Sequence, residues 1–155
     1  MKQELEIKPV DHNNFDDFLQ LVDKLAEYEK LMPPDKDAKK RLKNDAFSKN
    51  PRYEAYLVEK DNQYIGYIIL ILTYSSFLAL PTLYIEDIFL LPEQRQNGYG
   101  TKMFDFCKKI ANEKKCGRIE WHVLDWNKPA INFYNKQKAV HLREWLYYRL
   151  TKDHF

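Results

Sequence analysis

The sequence predicts an α/β fold, a mixed central β-sheet flanked by helices on both faces. Three observations carry that expectation. Runs of period-two apolar alternation are interleaved with stretches of helical spacing, in the order β-α-α-β-β-β-α-β-α-β. The apolar run from Leu83 to Leu91 is rich in β-branched and aromatic residues, which suits a strand buried on both faces. That run passes through Pro92 and a glycine-bearing turn into an amphipathic helical pattern, a strand–turn–helix junction. With 155 residues, 45% of them hydrophobic and 15% aromatic, the chain has enough apolar surface for one core. A single domain over residues 1–155 is expected, and disorder is excluded.

Taken in order, Leu5 and Ile7 alternate with Glu4, Glu6 and Lys8, a short half-buried strand that Pro9 stops. Asn13 or Asn14 caps the next helix, with Asp16 and Asp17 in its first turn where the dipole favours them. Phe15, Phe18, Val22, Leu25 and Tyr28 give that helix an apolar face, and Pro33-Pro34 ends it. A second, strongly basic helix spans about 35–48, and its Lys39-Lys40-Arg41 run reads as a solvated face. Strands over 53–60 and 64–74 form a hairpin about Asp61-Asn62, and 75–81 is a loop into the central strand. A helix from Thr101 to Lys114 is closed by Gly117, and 118–124 alternates as a further strand. Pro129 opens a short helix through Tyr134, and the aromatic stretch 141–150 closes the chain as a strand.

Composition narrows the function. Twenty-five basic and 23 acidic residues leave a net charge of only +2, which argues against a nucleic-acid binder that relies on phosphate neutralisation. The N-terminus carries Glu4 and Glu6 without an apolar run, and Ile68–Leu72 is too short to span a bilayer, so neither signal peptide nor membrane anchor is expected. Two cysteines, Cys107 and Cys116, make neither a disulfide framework nor a metal quartet, and the chain reads as cytosolic and reduced. His12, His122, His141 and His154 show no metal-ligand spacing.

The chemistry concentrates at the strand–turn–helix junction. Unpaired N–H groups and the positive end of a helix dipole form an anion site there, and Gly98 and Gly100 carry no Cβ to obstruct a phosphate. A Walker loop is excluded because Gly100-Thr101-Lys102 has the wrong order, and a dinucleotide fingerprint because Met103 stands where a third glycine belongs. Arg95-x-x-Gly98-x-Gly100 in this context resembles the pyrophosphate loop of the GNAT superfamily of acetyl-CoA-dependent N-acetyltransferases. The resemblance covers nearly the whole chain and is nearest to the spermidine/spermine (diamine) acetyltransferases. It includes the Tyr28-Glu29 ending of the first helix, the strand Tyr84-x-Glu86-Asp87, and the run Trp126-Asn127-x-Pro129-x-Ile131-Asn132-Phe133-Tyr134. Lys138 departs from the family's usual glycine, and a left-handed stop there costs a non-glycine residue about 1 kcal/mol.

What the resemblance implies is a GNAT fold, with acetyl-CoA as co-substrate, no metal, a small-molecule amine as partner, and a homodimer. Backbone groups of Phe89 and Leu90 would meet the pantetheine amides. Gln94, Arg95, Gln96, Asn97, Gly98, Tyr99, Gly100 and Thr101 would hold the pyrophosphate, and Asn127 and Tyr134 belong to a second cofactor segment. Tyr134 is the implied acid for the departing thiolate, since a phenol with a pKa of about 10 stays protonated at neutral pH. Glu86 is the implied base, acting through water, with partial burial expected to favour that role. Tyr28, Glu29, Glu86, Asp87 and Trp145 would receive a cationic amine. Neighbours on a regular strand point to opposite faces, so Glu86 and Asp87 can share one pocket only across a β-bulge. A protein or peptide N-acetyltransferase and a non-catalytic CoA-binding module are the alternatives. Cys107 shares a helix face with Met103 and Ile110 and is read as a buried hydrophobe.

Overall fold

The computed structural model describes residues 5–155, so Glu4 in the first alternating run lies outside the described residues. The chain divides into two compact units, the first running to Trp121 and the second from His122 to Phe155.

The first unit is a five-stranded sheet in the order β1-β2-β3-β4-β5, formed by Glu6–Pro9, Glu54–Lys60, Gln63–Ser75, Leu80–Leu90 and Arg118–Glu120. The first four strands are antiparallel, and β5 pairs parallel with β4 over Thr82–Tyr84 only. Beyond Tyr84, therefore, β4 is laddered to β3 alone among the described residues. Three helices belong to this unit: α1 (Phe15–Glu29), α2 (Lys36–Ala46) and α3 (Tyr99–Glu113). Consecutive residues of the middle strands are buried together, Leu57 with Val58 and Tyr67 with Ile68, so both faces of the sheet are covered. Phe15, Phe18 and Leu21 of α1 pack with Leu57, Tyr67, Ile69 and Phe89 on one face. On the other face α3 contributes Met103, Phe104, Cys107, Ile110 and Ala111, and Phe106 meets the Tyr56 ring at 4.8 Å. This is the mixed α/β arrangement expected from the element order.

Several local details differ from the sequence reading. Asn14 occupies the cap position of α1 but makes no capping bond, because its Oδ1 accepts from the Asp11 N–H at 2.8 Å. Asp35 does cap α2, accepting from Ala38 N–H. The Asp61-Asn62 turn has φ of 54° and 61°, the two left-handed residues of a tight hairpin whose register fixes Lys60 opposite Gln63. Strand β4 starts at Leu80, inside the expected loop, because the β3–β4 ladder continues to Ser75 opposite Leu80. Helix α3 starts at Tyr99, two residues before the expected Thr101.

Gly117 is not the left-handed stop of α3. Lys115 takes that conformation at φ 54°, and Cys116 N–H closes the turn on Ala111 O at 2.9 Å. A Cβ at position 117 would sit 3.0 Å from a Leu78 methyl, so glycine there serves close packing. Helix α1 ends in the same way on Lys30, at φ 59°. Both are lysines where glycine is the unstrained choice, each at about 1 kcal/mol, with their charge favourably placed at a helix C-terminus.

The second unit contains α4 (Lys128–Lys136), capped by the Asn127 side chain, with Pro129 in its first turn. Its end is also left-handed, at Lys138 with φ 62°, and Ala139 N–H returns to Tyr134 O at 3.2 Å. The left-handed stop is thus made by a lysine. Two expected strands are not regular strand. The run 118–124 is laddered only to Glu120, and 141–150 forms no strand among the described residues. A strand needs a neighbouring ladder, and Trp145, Tyr147 and Tyr148 are all at least 70% exposed.

Candidate active site

The centre of the first unit's chemistry is a break in the β3–β4 ladder. Ile69 pairs with Asp87 and Leu70 with Ile85, so Glu86 is an extra residue, a β-bulge at the paired carboxylates. The bulge removes the alternation that would send the two acids to opposite faces. Glu86 is exposed and Asp87 half-buried, so the burial expected at Glu86 falls on its neighbour.

The Tyr67 hydroxyl donates to Asp87 Oδ2 at 3.0 Å, and its ring is fully buried between Phe18 at 5.4 Å and Phe89 at 6.0 Å. Burial pushes the Asp87 carboxyl up to about 6; the Tyr67 bond pulls it down, and the charges of Glu86 and Glu29 push it up. Burial also raises the Tyr67 phenol far above its ordinary value, so it remains a donor. The charge of Glu29, on the last turn of α1, thus acts on Asp87 from a second element, together with that of Glu86. Glu27 turns aside to pair with Lys24 at 3.1 Å on the exposed surface. Tyr67 was not singled out from the sequence. The signal was a hydroxyl within an otherwise aliphatic strand, Ile65–Leu72.

The junction beyond β4 is a one-turn 3-10 segment, Pro92–Gln94, followed by Arg95–Gly98 and the start of α3. Gln96 at φ 64° and Gly98 at φ 79° are both left-handed. Asn97 ties the loop to itself by donating to Gln94 O and Arg95 O, each at 3.2 Å. Gly98 caps α3 without a side chain, so the N–H groups of Tyr99, Gly100 and Thr101 open the helix with no intrahelical acceptor available to them. Those donors and the dipole favour an anion. Nothing lies within 4 Å of a Cβ built at Gly98; the positive φ, not crowding, calls for glycine there. Arg95 donates through Nε to Leu90 O at 3.1 Å and lies 4.3 Å from the Tyr28 ring centroid, a cation–π contact that joins α1 to the loop. The same strand end supplies Phe89 and Leu90, on the part of β4 that β5 does not pair.

In the second unit, Asn127 Oδ1 accepts from Ala130 N–H at 3.4 Å and sets the start of α4. Tyr134 lies on that helix, half-buried, with its ring 5.6 Å from Phe133. Trp145 is 70% exposed. Among the described residues no group of three histidine, cysteine or acidic side chains is placed to hold a metal, and no helix is long and apolar enough to cross a membrane. Burial pushes the Cys107 thiol up to about 12, in keeping with a packed hydrophobe.

A strand that carries paired carboxylates and leads, through a turn, into the open helix start of the parallel crossover to β5 can receive a phosphate-bearing ligand at that helix start. The chain belongs to the acetyltransferase (GNAT) family, whose model matches residues 17–138, and so to the acetyl-CoA-dependent acyltransferases. It is 31% identical to the thialysine N-epsilon-acetyltransferase of Mus musculus, over 88% of this chain and 86% of that protein. It is 40% identical to the L-ornithine N5-acetyltransferase NATA1 of Arabidopsis thaliana, over 67% of this chain but only 46% of that protein, so it spans less than half of that relative. Its fold matches an integron cassette protein from the mobile metagenome of V. cholerae at a TM-score of 0.80, with 22% identity, over 99% of this chain and 94% of that one.

Proposed function

We propose that the protein transfers the acetyl group of acetyl-CoA to a primary amine of a small cationic substrate, a polyamine, a diamine or a lysine-like amine. The observation that carries the substrate class is the β4 bulge at Glu86 and Asp87, with the charge of Glu29 on α1 also acting on Asp87. Glu86 and Glu29 both disfavour the charged form of Asp87, and a cationic amine offsets that. Relatives named for acetylating thialysine and ornithine support the same class.

The reaction is direct attack in a ternary complex. The neutral amine nitrogen bonds to the thioester carbon and the carbon–sulfur bond breaks. Tyr134 gives its phenolic proton to the leaving thiolate, and Glu86 receives the amine proton through water. The exposure of Glu86 supports a water-relayed role. Gln94 to Thr101 hold the pyrophosphate with loop and helix N–H groups, and Phe89 and Leu90 offer backbone groups to the pantetheine arm; the incomplete β4–β5 pairing supports this. Asn127 belongs to the cofactor segment, and Tyr28 and Trp145 to the amine side. That residues 1–155 work as one domain is part of the same proposal, supported by a family match that crosses Trp121. So are a homodimer, supported by the exposed Trp145, Tyr147 and Tyr148, and a reducing cytoplasmic setting, supported by two free cysteines.

Tyr134→Phe tests the reading. It is expected to bind acetyl-CoA as the parent does and to lose thiol release by about 10²-fold or more. Unchanged turnover would remove Tyr134 from the chemistry. An acetyl-CoA-binding parent without turnover on any amine would leave only a CoA-binding module.

A further inference from the structure

We infer that Tyr67 is a positioning residue for amine capture: its buried hydroxyl holds one carboxylate oxygen of Asp87 at the β4 bulge, leaving the other to receive the substrate cation. The inference rests on the proposed amine acetylation and deepens it by naming a residue outside the carboxylate set.

Geometry carries it. Tyr67 is 0% exposed and wedged between Phe18 of α1 and Phe89 of β4, so its ring cannot swing away. Its hydroxyl meets Oδ2 of Asp87, on the strand paired beside it. Asp87 keeps its ladder partner Ile69 directly beside the unpaired Glu86, and the side-chain anchor from the neighbouring strand fixes the carboxylate where the alternation of faces is broken. The charges reaching Asp87 are Glu86 on its own strand and Glu29 on α1, both negative and both opposing its ionisation. Against them Tyr67 supplies the stabilising donor. Without it, Asp87 would hold its proton to a higher pH and lose its fixed orientation together. An ammonium arriving at neutral pH therefore meets an aimed anion.

Tyr67→Phe removes one oxygen from a packed ring and separates this role from a packing role. The parent's kcat/KM for the amine is expected to fall on the acid side as Asp87 protonates near pH 6. In Tyr67→Phe that limb moves to higher pH by about one unit, so the loss at pH 6 exceeds the loss at pH 8.5 by about fivefold. KM for acetyl-CoA is expected to hold. An equal loss at every pH would make Tyr67 merely structural and overturn the inference. In the Asp87→Asn background, Tyr67→Phe is expected to leave the pH profile where it stands; a further shift there would also count against it. A second readout needs no turnover: the Asp87 carboxyl carbon, titrated by ¹³C NMR in both proteins, is expected to show a higher pKa in Tyr67→Phe. An unchanged titration overturns the Tyr67–Asp87 coupling, whereas an inactive parent with a shifted titration would sink the amine reading and leave the coupling standing.

Discussion

Two interruptions of regular structure lie along one stretch of chain, and they are made differently. At Glu86-Asp87 the β4 ladder takes in an extra residue, and only the adjacent carboxylates mark the place, with no glycine or left-handed residue type. At Gln96–Gly98 the backbone turns left-handed twice before α3, and Gly98 marks the place. The bulge brings acids together and must be braced by buried groups; the loop presents backbone N–H groups and braces itself through Asn97. The proposed cation site is thus built from side chains on a distorted strand, and the proposed anion site from the main chain at a helix start.

The sharpest way to break this comparison is Asp87→Asn. It keeps an oxygen for the Tyr67 hydroxyl but removes the charge, and kcat/KM for a dicationic amine is expected to drop by about 10–100-fold, the worth of a charge-assisted bond. The same change should stabilise the fold. A carboxyl raised to about 6 binds its proton more tightly folded than unfolded. The penalty is therefore absent below about pH 4, grows as pH climbs to 6, and is complete above that. Thermal melts are expected to show a gain of up to about 3 kcal/mol for Asp87→Asn at pH 8 and none at pH 3.5. Activity gained and stability lost at one residue is the signature of a functional acid.

Next in size is Gly66→Ala. A Cβ there would stand 2.4 Å from the Phe89 carbonyl oxygen, so β4 must shift where the pantetheine arm is proposed to run. Urea melts should show a loss of about 1–3 kcal/mol. Gly98→Ala tests the loop alone: about 1 kcal/mol of stability from the positive φ, a raised KM for acetyl-CoA, and an unchanged KM for the amine. The smallest effect is expected at the helix ends. Lys115→Gly should add about 0.5–1 kcal/mol in a thermal melt, with no change in either KM, because that left-handed residue serves only the end of α3.

Legibility in the sequence follows the same division. The hairpin at Asp61-Asn62 and the turn at Gly98 were readable because a left-handed backbone selects a few residue types, although the helix after Gly98 starts two residues earlier than expected. The stop of α3 misled, because Lys115 accepts strain that Gly117 was expected to relieve. The strands of the first unit were readable from period and burial, since both faces are covered and the core residues say so. The stretch 141–150 was not, since aromatic composition suits a strand but supplies no partner for its ladder. Asp87 could be named as a candidate from the Glu86-Asp87 pair, whereas its burial and the Tyr67 bond depend on where α1 and β3 bring their side chains. Those contacts join residues 20 positions apart, beyond the reach of any local pattern.

The most direct test of the account is free-thiol release from acetyl-CoA against spermidine, spermine, putrescine, thialysine, ornithine, lysine and a basic peptide, for the parent and Asp87→Asn. Turnover is expected with one or more of the small cationic amines, with a loss of about 10–100-fold in Asp87→Asn. Turnover with the peptide alone, or with a small amine but undiminished in Asp87→Asn, would contradict it.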